Sequence, residues 1–465
     1  MRIAIVGAGF TGSLAAALLL RRSRRPGLVQ LIDRRGHFGP GLAYSTGNAS
    51  HLLNVRAGNM SALADDPDHF LRWLEERHAA GEAPDIEWAG AQSFATRTLY
   101  GRYLQDVLAE SRREAAAAGG PGLETVYGDV VRVEPLTAGG VRLHFANGQT
   151  GEADRALLCL GNFPPIIPVA DLTDPALAAA YIDDPWRPGA LSKIGASDAV
   201  AIIGSGLTMV DIALLLEDQG HTGPVTALSR RGFLPFEHAP ATPAPAPETL
   251  LTPPVTAAGL LRGVRRQMDD GGNWRGVIDG LRPITQALWQ AMSVAERRRF
   301  MRHLRPWWEV RRHRMAPSVA NRLSGLIEAG RLAVAAGRVE EIAARGGRID
   351  LRYQPRAGRQ GSGSGPTTLT IDWIVNCTGP QCDYARIADP LVKDILATGL
   401  ARPDPLRLGL DVTPDCRLIG RDGRPSPSLL GLGPVTRGDF WEITAVPDIR
   451  VQVNGVVDGL LASAD

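Results

Sequence analysis

The sequence predicts an α/β fold of two similar doubly wound units, and three observations carry that prediction. A β-branched run at 2–6 leads straight into a glycine-rich turn at 7–12. The same arrangement returns at 199–211. Each copy is followed downstream by alternating strands and a closing segment of the form Asp-x4-Cys-x-Gly.

Composition bounds what such a protein can be. A chain of 465 residues suggests about three units of ordinary domain size. Its 53 glycines and 34 prolines are many for a globular protein, but 44% apolar residues supply a large core. The net charge is only +2, so a nucleic-acid role would need a local basic patch. Cysteines stand at 159, 377, 382 and 416, with no CxxC pair and no metal-ligand spacing to the histidines. No metal site and no redox dithiol is expected, and a reducing cytoplasmic compartment is. The apolar run Leu14–Leu20 precedes its arginines instead of following them, and glycines interrupt its N-terminal flank, which does not fit a signal peptide. No apolar run approaches the ~20 residues that cross a bilayer, so no membrane association is expected.

In the first unit, Arg2–Val6 reads as a buried parallel strand. Gly7-Ala8-Gly9-Phe10-Thr11-Gly12 follows, then a helix, then a strand Val29–Ile32 ending at Asp33. This is a dinucleotide fingerprint. Gly7 permits the turn, Gly9 lets backbone approach a pyrophosphate, and Gly12 lets helix and strand pack closely. The N–H groups of Phe10, Thr11 and Gly12 then face the phosphates at the positive end of the helix. Asp33 is placed to accept hydrogen bonds from a ribose diol. This unit is expected to hold FAD.

The second unit runs Ala199–Ile203, Gly204-Ser205-Gly206-Leu207-Thr208-Met209, a helix, and the strand Val225–Leu228. Gly204 and Gly206 stand where the first two glycines stood. The strand ends in Ser229-Arg230-Arg231 with no acid. Two guanidinium groups there suit the 2′-phosphate of NADPH, with NADH still possible. The repeat extends to 154–161 (DRALLCLG) and 372–379 (DWIVNCTG), so each unit should carry a β-meander and a strand that returns to its sheet.

The remaining segments complete the plan. Seven prolines between 235 and 254 predict an extended linker, and 257–330 a helical insert. Residues 358–366 predict a flexible hairpin tip, and 442–461 a closing helix. The stretch 296–314 holds eight Arg, two Glu and the pair Trp307-Trp308. A solvated helix face with buried tryptophans ranks first for it, an anion pocket second, and a nucleic-acid surface third. His51, Asn54 and Arg56 cluster just after the first unit's opening motif and are the candidate catalytic pocket.

Seven segments carry a resemblance to a known family: GAGFTGSLAA at 7–16, GPGLAY at 39–44, HLLNVRAGNMSA at 51–62, GSGLTMVD at 204–211, WWEVRRHRMAP at 307–317, NCTGP at 376–380, and GLGPVTRGDFWEITAVPDIR at 431–450. In these the chain resembles the bacterial FAD/NAD(P)-binding oxidoreductases that include FAD-dependent urate hydroxylases and, more distantly, aspartate N-monooxygenases. The resemblance implies two Rossmann-like domains of the glutathione-reductase, three-layer type. It places an FAD-binding domain at 1–165 and 380–465, and an NAD(P)H-binding domain at 166–379. It also implies cofactor contacts at Gly379 and Gly433. Pro434 stands where related flavoproteins have an Asp for the flavin ribityl chain, and the Baeyer–Villiger fingerprint is absent.

The resulting expectation is an FAD- and NADPH-dependent monooxygenase acting with molecular oxygen on a small polar substrate through a C4a-hydroperoxyflavin. Two alternatives stay open: a flavin reductase serving a partner, and a non-catalytic flavin-binding sensor or assembly protein.

Overall fold

The computed structural model describes residues 1–166, 172–356 and 365–463. The expected hairpin tip at 358–366 lies almost wholly outside the described residues.

The first unit is built on a six-stranded sheet in the order Arg417–Ile419, Pro425–Gly431, Arg155–Leu158, Arg2–Val6, Leu28–Asp33, Gly122–Tyr127. All neighbours pair in parallel except the antiparallel edge strand Arg417–Ile419. Ile3 to Val6 are all buried, which is why the opening strand reads as a continuous apolar run instead of alternating. The helix Phe10–Arg22 lies on one face and is flanked by the helices Arg97–Ala117 and Val446–Ala462. A separate meander, Val130–Pro135, Val141–Phe145 and Thr150–Ala153, covers the other face. Helices, sheet and meander make three layers, as the sequence predicts.

The second unit repeats the plan with seven strands in the order Thr367–Ile371, Arg348–Pro355, Leu332–Arg345, Val225–Ser229, Val200–Ile203, Trp373–Asn376, Tyr181–Ile182. Here the meander is not a separate layer. The strand Leu332–Arg345 is fourteen residues long. Its first part pairs in parallel with Val225–Ser229 and its second part in antiparallel with Arg348–Pro355.

The Asp-x4-Cys-x-Gly repeat has one structural meaning in both units. The Asp154 carboxylate accepts the Arg2 backbone N–H at 2.7 Å, and the Asp372 carboxylate accepts that of Ala199 at 2.7 Å. The Cys159 N–H donates to Val6 O and the Cys377 N–H to Ile203 O, each at 2.8 Å. Both thiols are buried, and burial raises their pKa, so they are packing groups.

Three expectations need correction. The proline-rich stretch is extended, but it is a docked strap and not a free linker. Its Phe236 N–H donates to Val310 O (3.0 Å), its His238 N–H to Met315 O (2.9 Å) and its Ala244 N–H to Gly276 O (2.9 Å). The expected insert 257–330 loses its last helix, Pro317–Glu328, to the second unit, where Ala320, Leu323 and Leu326 join the core around the helix Leu207–Asp218. The remaining insert helices share a core with Leu408 and Trp441 from the C-terminal segment. The closing helix begins at Val446, not at Glu442. Pro447 fits only the first helical turn, and Glu442 sits at φ +69°, outside helical geometry.

The strap docks closely because helix Trp274–Gly280 presents glycines to it. A Cβ at Gly280 would collide with Ala244 O, and one at Gly276 with Thr242 O. Gly280→Ala should therefore cost about 1–3 kcal/mol by forcing strap and helix apart. Gly325→Ala, in the exposed face of Pro317–Glu328 with no neighbour within 4 Å, should stabilise by up to ~1 kcal/mol. Urea-unfolding midpoints of the two variants should move in opposite directions.

Candidate functional site

The two glycine loops sit at the carboxyl ends of parallel strands, where open α/β sheets bind their ligands. Their glycines fall into two classes. Gly7 has φ +104°, and a Cβ there would collide with Cys159 O. A Cβ at Gly12 would collide with Gly7 O. In the second loop Gly204 has φ +119°, and its Cβ would collide with Cys377 O. The fold itself demands these three. Gly9 and Gly206 are different. Gly9 has φ −73° and ψ −170°, a conformation open to any residue, and its Cβ would meet only Gly41 Cα at 3.6 Å. Gly206 has φ −86° and nothing within 4 Å. Protein packing does not account for these two glycines.

Gly9 and Gly206 are the N-caps of Phe10–Arg22 and Leu207–Asp218, and neither helix start has a side-chain cap or an acid in its first turn. Each leaves backbone N–H groups at the positive end of a helix, the arrangement that binds phosphate. A pyrophosphate fits both places.

The strand-end residues differ in the way the cofactor assignment needs. Asp33 accepts hydrogen bonds from the N–H groups of Ala8 (3.3 Å), Arg35 (2.7 Å) and His37 (3.4 Å), which fixes its carboxylate beside the first loop. In the second unit Ser205 Oγ bonds Ser229 Oγ (2.8 Å) and Phe233 O (2.6 Å), and the Gly232 N–H donates to Ser229 Oγ (2.9 Å). Ser229 is thus a loop organiser. Arg230 is exposed and Arg231 lies over the Phe233 ring at 5.9 Å. Among the described residues neither guanidinium has a carboxylate partner.

Gly433 has φ +73°, and its Cβ would lie 2.6 Å from Thr11 Oγ1. Its N–H donates to Gln452 Oε1 (2.8 Å), and its carbonyl accepts from Thr436 Oγ1 (2.9 Å). It brings the last strand against the first loop but does not hold a free donor toward it. Gly379 has φ +90° and open space where a side chain would go.

His51, Asn54 and Arg56 do not share partners. His51 is 2% exposed. Its Nε2 lies 3.4 Å from Asp211 O, and because a carbonyl only accepts, that nitrogen carries the proton. Nδ1 then accepts from Thr46 Oγ1 at 2.7 Å. The ring packs edge-on against Trp186, and Arg97 reaches Asp211 at 2.6 Å alongside it. His51 belongs to a seam between the two units, with both nitrogens engaged.

Asn54 and Arg56 face the strap instead. Arg56 donates to Ala239 O at 3.2 Å, and Asn54 O accepts from His238 Nε2 at 3.0 Å. Phe94 packs on the His238 ring at 5.2 Å. Among the described residues, buried His238 Nδ1 has no hydrogen-bond partner, so this imidazole holds a free acceptor beside Arg56. His238 was invisible as a site residue in the sequence because it lies 184 positions from Asn54 inside a proline-rich stretch.

Two motifs that looked independent in the sequence are one structure. Trp308 Nε1 donates to Glu442 Oε1 at 2.8 Å, while Arg312 and His313 approach Glu442 Oε2 at 3.7 and 3.3 Å. Arg312 also lies 3.9 Å from Asp448. Burial alone would raise the Glu442 carboxyl, but His313, Arg312 and the Trp308 N–H hold it well below the carboxylate range. The segment 307–314 therefore docks on 441–448. Trp307 is 45% exposed and Trp308 is only partly buried, so neither is the fully buried tryptophan the sequence leads one to expect.

Burial depresses the His238 pKa to about 4, against the smaller opposing effect of its bond to Asn54. The folded state then binds fewer protons than the unfolded state between pH 6.5 and 4, so stability falls as pH drops through that window. The contribution is about 1–3 kcal/mol. His238→Gln keeps a donor for Asn54 O and should remove this component. Urea midpoints measured from pH 7 to 4 should show the smaller loss in the variant.

Residues 4–163 match a protein family described as FAD-NAD(P)-binding. No curated protein sequence matches the chain significantly. Solved structures match over its whole length. The ornithine hydroxylase of Pseudomonas aeruginosa shares 16% identity and a TM-score of 0.66, covering 100% of this chain and 99% of that one. L-lysine 6-monooxygenase of Pseudomonas syringae gives 14% and 0.65, again over 100% and 99%. The FAD-bound cadaverine monooxygenase of Erwinia amylovora gives 12% and 0.66, over 98% and 94%. The chain has the two-unit fold of FAD/NAD(P)-binding flavoproteins, and its first unit matches the FAD-NAD(P)-binding family.

Proposed function

We propose that this chain is an FAD-dependent, NADPH-using monooxygenase that hydroxylates a small molecule with molecular oxygen. The observation that carries the reading is the pair of uncapped helix starts whose glycines, Gly9 and Gly206, the fold does not need. Two such sites in one chain fit a resident and an exchangeable dinucleotide. By their names the structural neighbours are hydroxylases or monooxygenases of ornithine, lysine and cadaverine, one of them an ornithine N-hydroxylase, which favours nitrogen hydroxylation of an amine over urate hydroxylation.

In this reading Phe10, Thr11 and Gly12 offer backbone N–H groups to the FAD pyrophosphate, and Asp33 accepts from the ribose. Gly7 and Gly433 keep the loop compact around them, and Gly379 leaves room between the units. Gly204 and Gly206 serve the nicotinamide dinucleotide, with Arg230 and Arg231 on its 2′-phosphate. Bound flavin would supply the relay of two electrons from nicotinamide to oxygen. Asn54, Arg56 and His238 form the polar group assigned to the substrate side, with His238 neutral at pH 7 and able to accept a hydrogen bond at Nδ1. His51 is assigned to holding the two units in register.

Gly9→Val should give a folded, soluble and colourless protein, since a Cβ there meets the protein only in ordinary contact but stands where the pyrophosphate would lie. A fully yellow variant overturns the FAD site. Arg230→Ala removes a charge-assisted contact worth roughly 1.5–3 kcal/mol, which is about ten- to a hundredfold in affinity. Its KM for NADPH should rise by that factor while NADH is nearly unaffected. NADPH oxidation under air, stimulated by a diamine or amino-acid panel, supports the oxygenase; oxidation only with an added electron acceptor supports a reductase.

A further inference from the structure

The helices of the insert line a half-open cavity of about 520 Å³, a size that ordinarily holds a small ligand. It is separate from both glycine loops. Its wall is almost wholly apolar, built from side chains such as Leu260, Ile278, Leu288 and Trp289. The polar exceptions are informative. Thr285, whose hydroxyl donates to Leu281 O, and Arg265, His303 and Arg311 line it, and no Asp or Glu does.

Arg311 is the unusual member. Its guanidinium lies over the rings of Phe236, Trp274 and Trp307 at 5.2 to 5.8 Å. Its one hydrogen bond among the described residues is a long one, 3.4 Å, to Trp307 O. It has no carboxylate partner there, although its neighbours Arg312 and Arg314 are both paired with acids. Burial among these rings works against its charge. A half-buried cation in an aromatic box, at the edge of an apolar cavity with no anion, lacks its counter-charge.

We propose that this cavity is a binding site for an amphipathic carboxylate, its apolar body among the tryptophans and its carboxylate on Arg311. The cationic lining disfavours a diamine, which would place an ammonium group against Arg311. The inference rests on the cavity alone and holds whether or not the chain oxygenates anything.

The test is a titration of the purified full-length protein with decanoate and with decylammonium, both below their aggregation limits, followed by tryptophan fluorescence and calorimetry. Decanoate should bind saturably and at least ~10-fold more tightly than decylammonium, the minimum for one charge-assisted contact. Leu260→Trp, which fills the cavity, should abolish binding of both. Arg311→Met should bring the two affinities together, and Arg311→Lys should retain part of the preference. Equal binding of the two head groups by the native protein overturns the proposal, as does the absence of saturable binding or decanoate binding that survives Leu260→Trp. The head-group comparison needs no variant, so a misfolded substitution leaves it standing.

Discussion

The structure depends on one close approach, made twice. In each unit the first glycine of the loop passes so near a cysteine carbonyl that no side chain fits between them. That contact seats the loop against the strand that returns to the sheet, and the Asp at the start of that strand ties its other end. A turn this tight turns the chain directly from strand into helix, so the helix starts at the sheet edge with its first N–H groups unpaired. The proposed anion site is a consequence of the packing. It needs no dedicated side chain, which is why the loops can be almost featureless in chemistry.

A second set of contacts fixes how the parts meet. Asp211 is buried at the end of the second loop's helix start and reaches Arg97 of the first unit, while Arg322 spans Glu217, Asp218 and Ser50. Glu442, with Arg312 and His313, joins the C-terminal segment to the end of the insert. The more buried of these pairs, Arg97–Asp211 and Arg312–Glu442, add little net stability, because desolvation offsets their attraction, and the partly exposed Arg322 pairs are screened by solvent. Removing one partner, however, leaves a charge stranded, so they penalise any other way of docking these surfaces. The left-handed backbone at Glu442 is tolerated because three groups hold its carboxylate in place.

What the sequence showed and what it hid follow from the range of the interactions. The glycine loops, the buried strands and the Asp-x4-Cys-x-Gly repeat are set by contacts whose residue types have almost no freedom, so they read directly. The strap misled because prolines report an absent N–H and a fixed φ, but not whether the chain is covered. The information that it is docked lay in Gly276 and Gly280 of another element. His51, Asn54 and Arg56 were grouped by proximity along the chain, and proximity does not imply shared partners. His51 turned to the second unit and the other two to the strap, where His238 waited. Nothing in a single sequence pairs residues that meet only across a domain seam.

The two nucleotide sites also differ in preorganisation, and that difference bears on the order in which they work. Asp33 is held by three backbone N–H groups before any ribose arrives, so binding there costs little side-chain ordering. Arg230 is exposed and has no carboxylate partner among the described residues, so the proposed phosphate contact must immobilise a long, free side chain. That ordering cost offsets part of a charge-assisted contact and weakens the hold. A preorganised acceptor suits a cofactor that stays through many turnovers. A mobile cation at an open edge suits one that must bind, give up a hydride and leave. On the proposed assignment, the division into resident and exchangeable dinucleotides is thus written in how much of each site is already ordered, and not in the glycine loops, which are nearly alike.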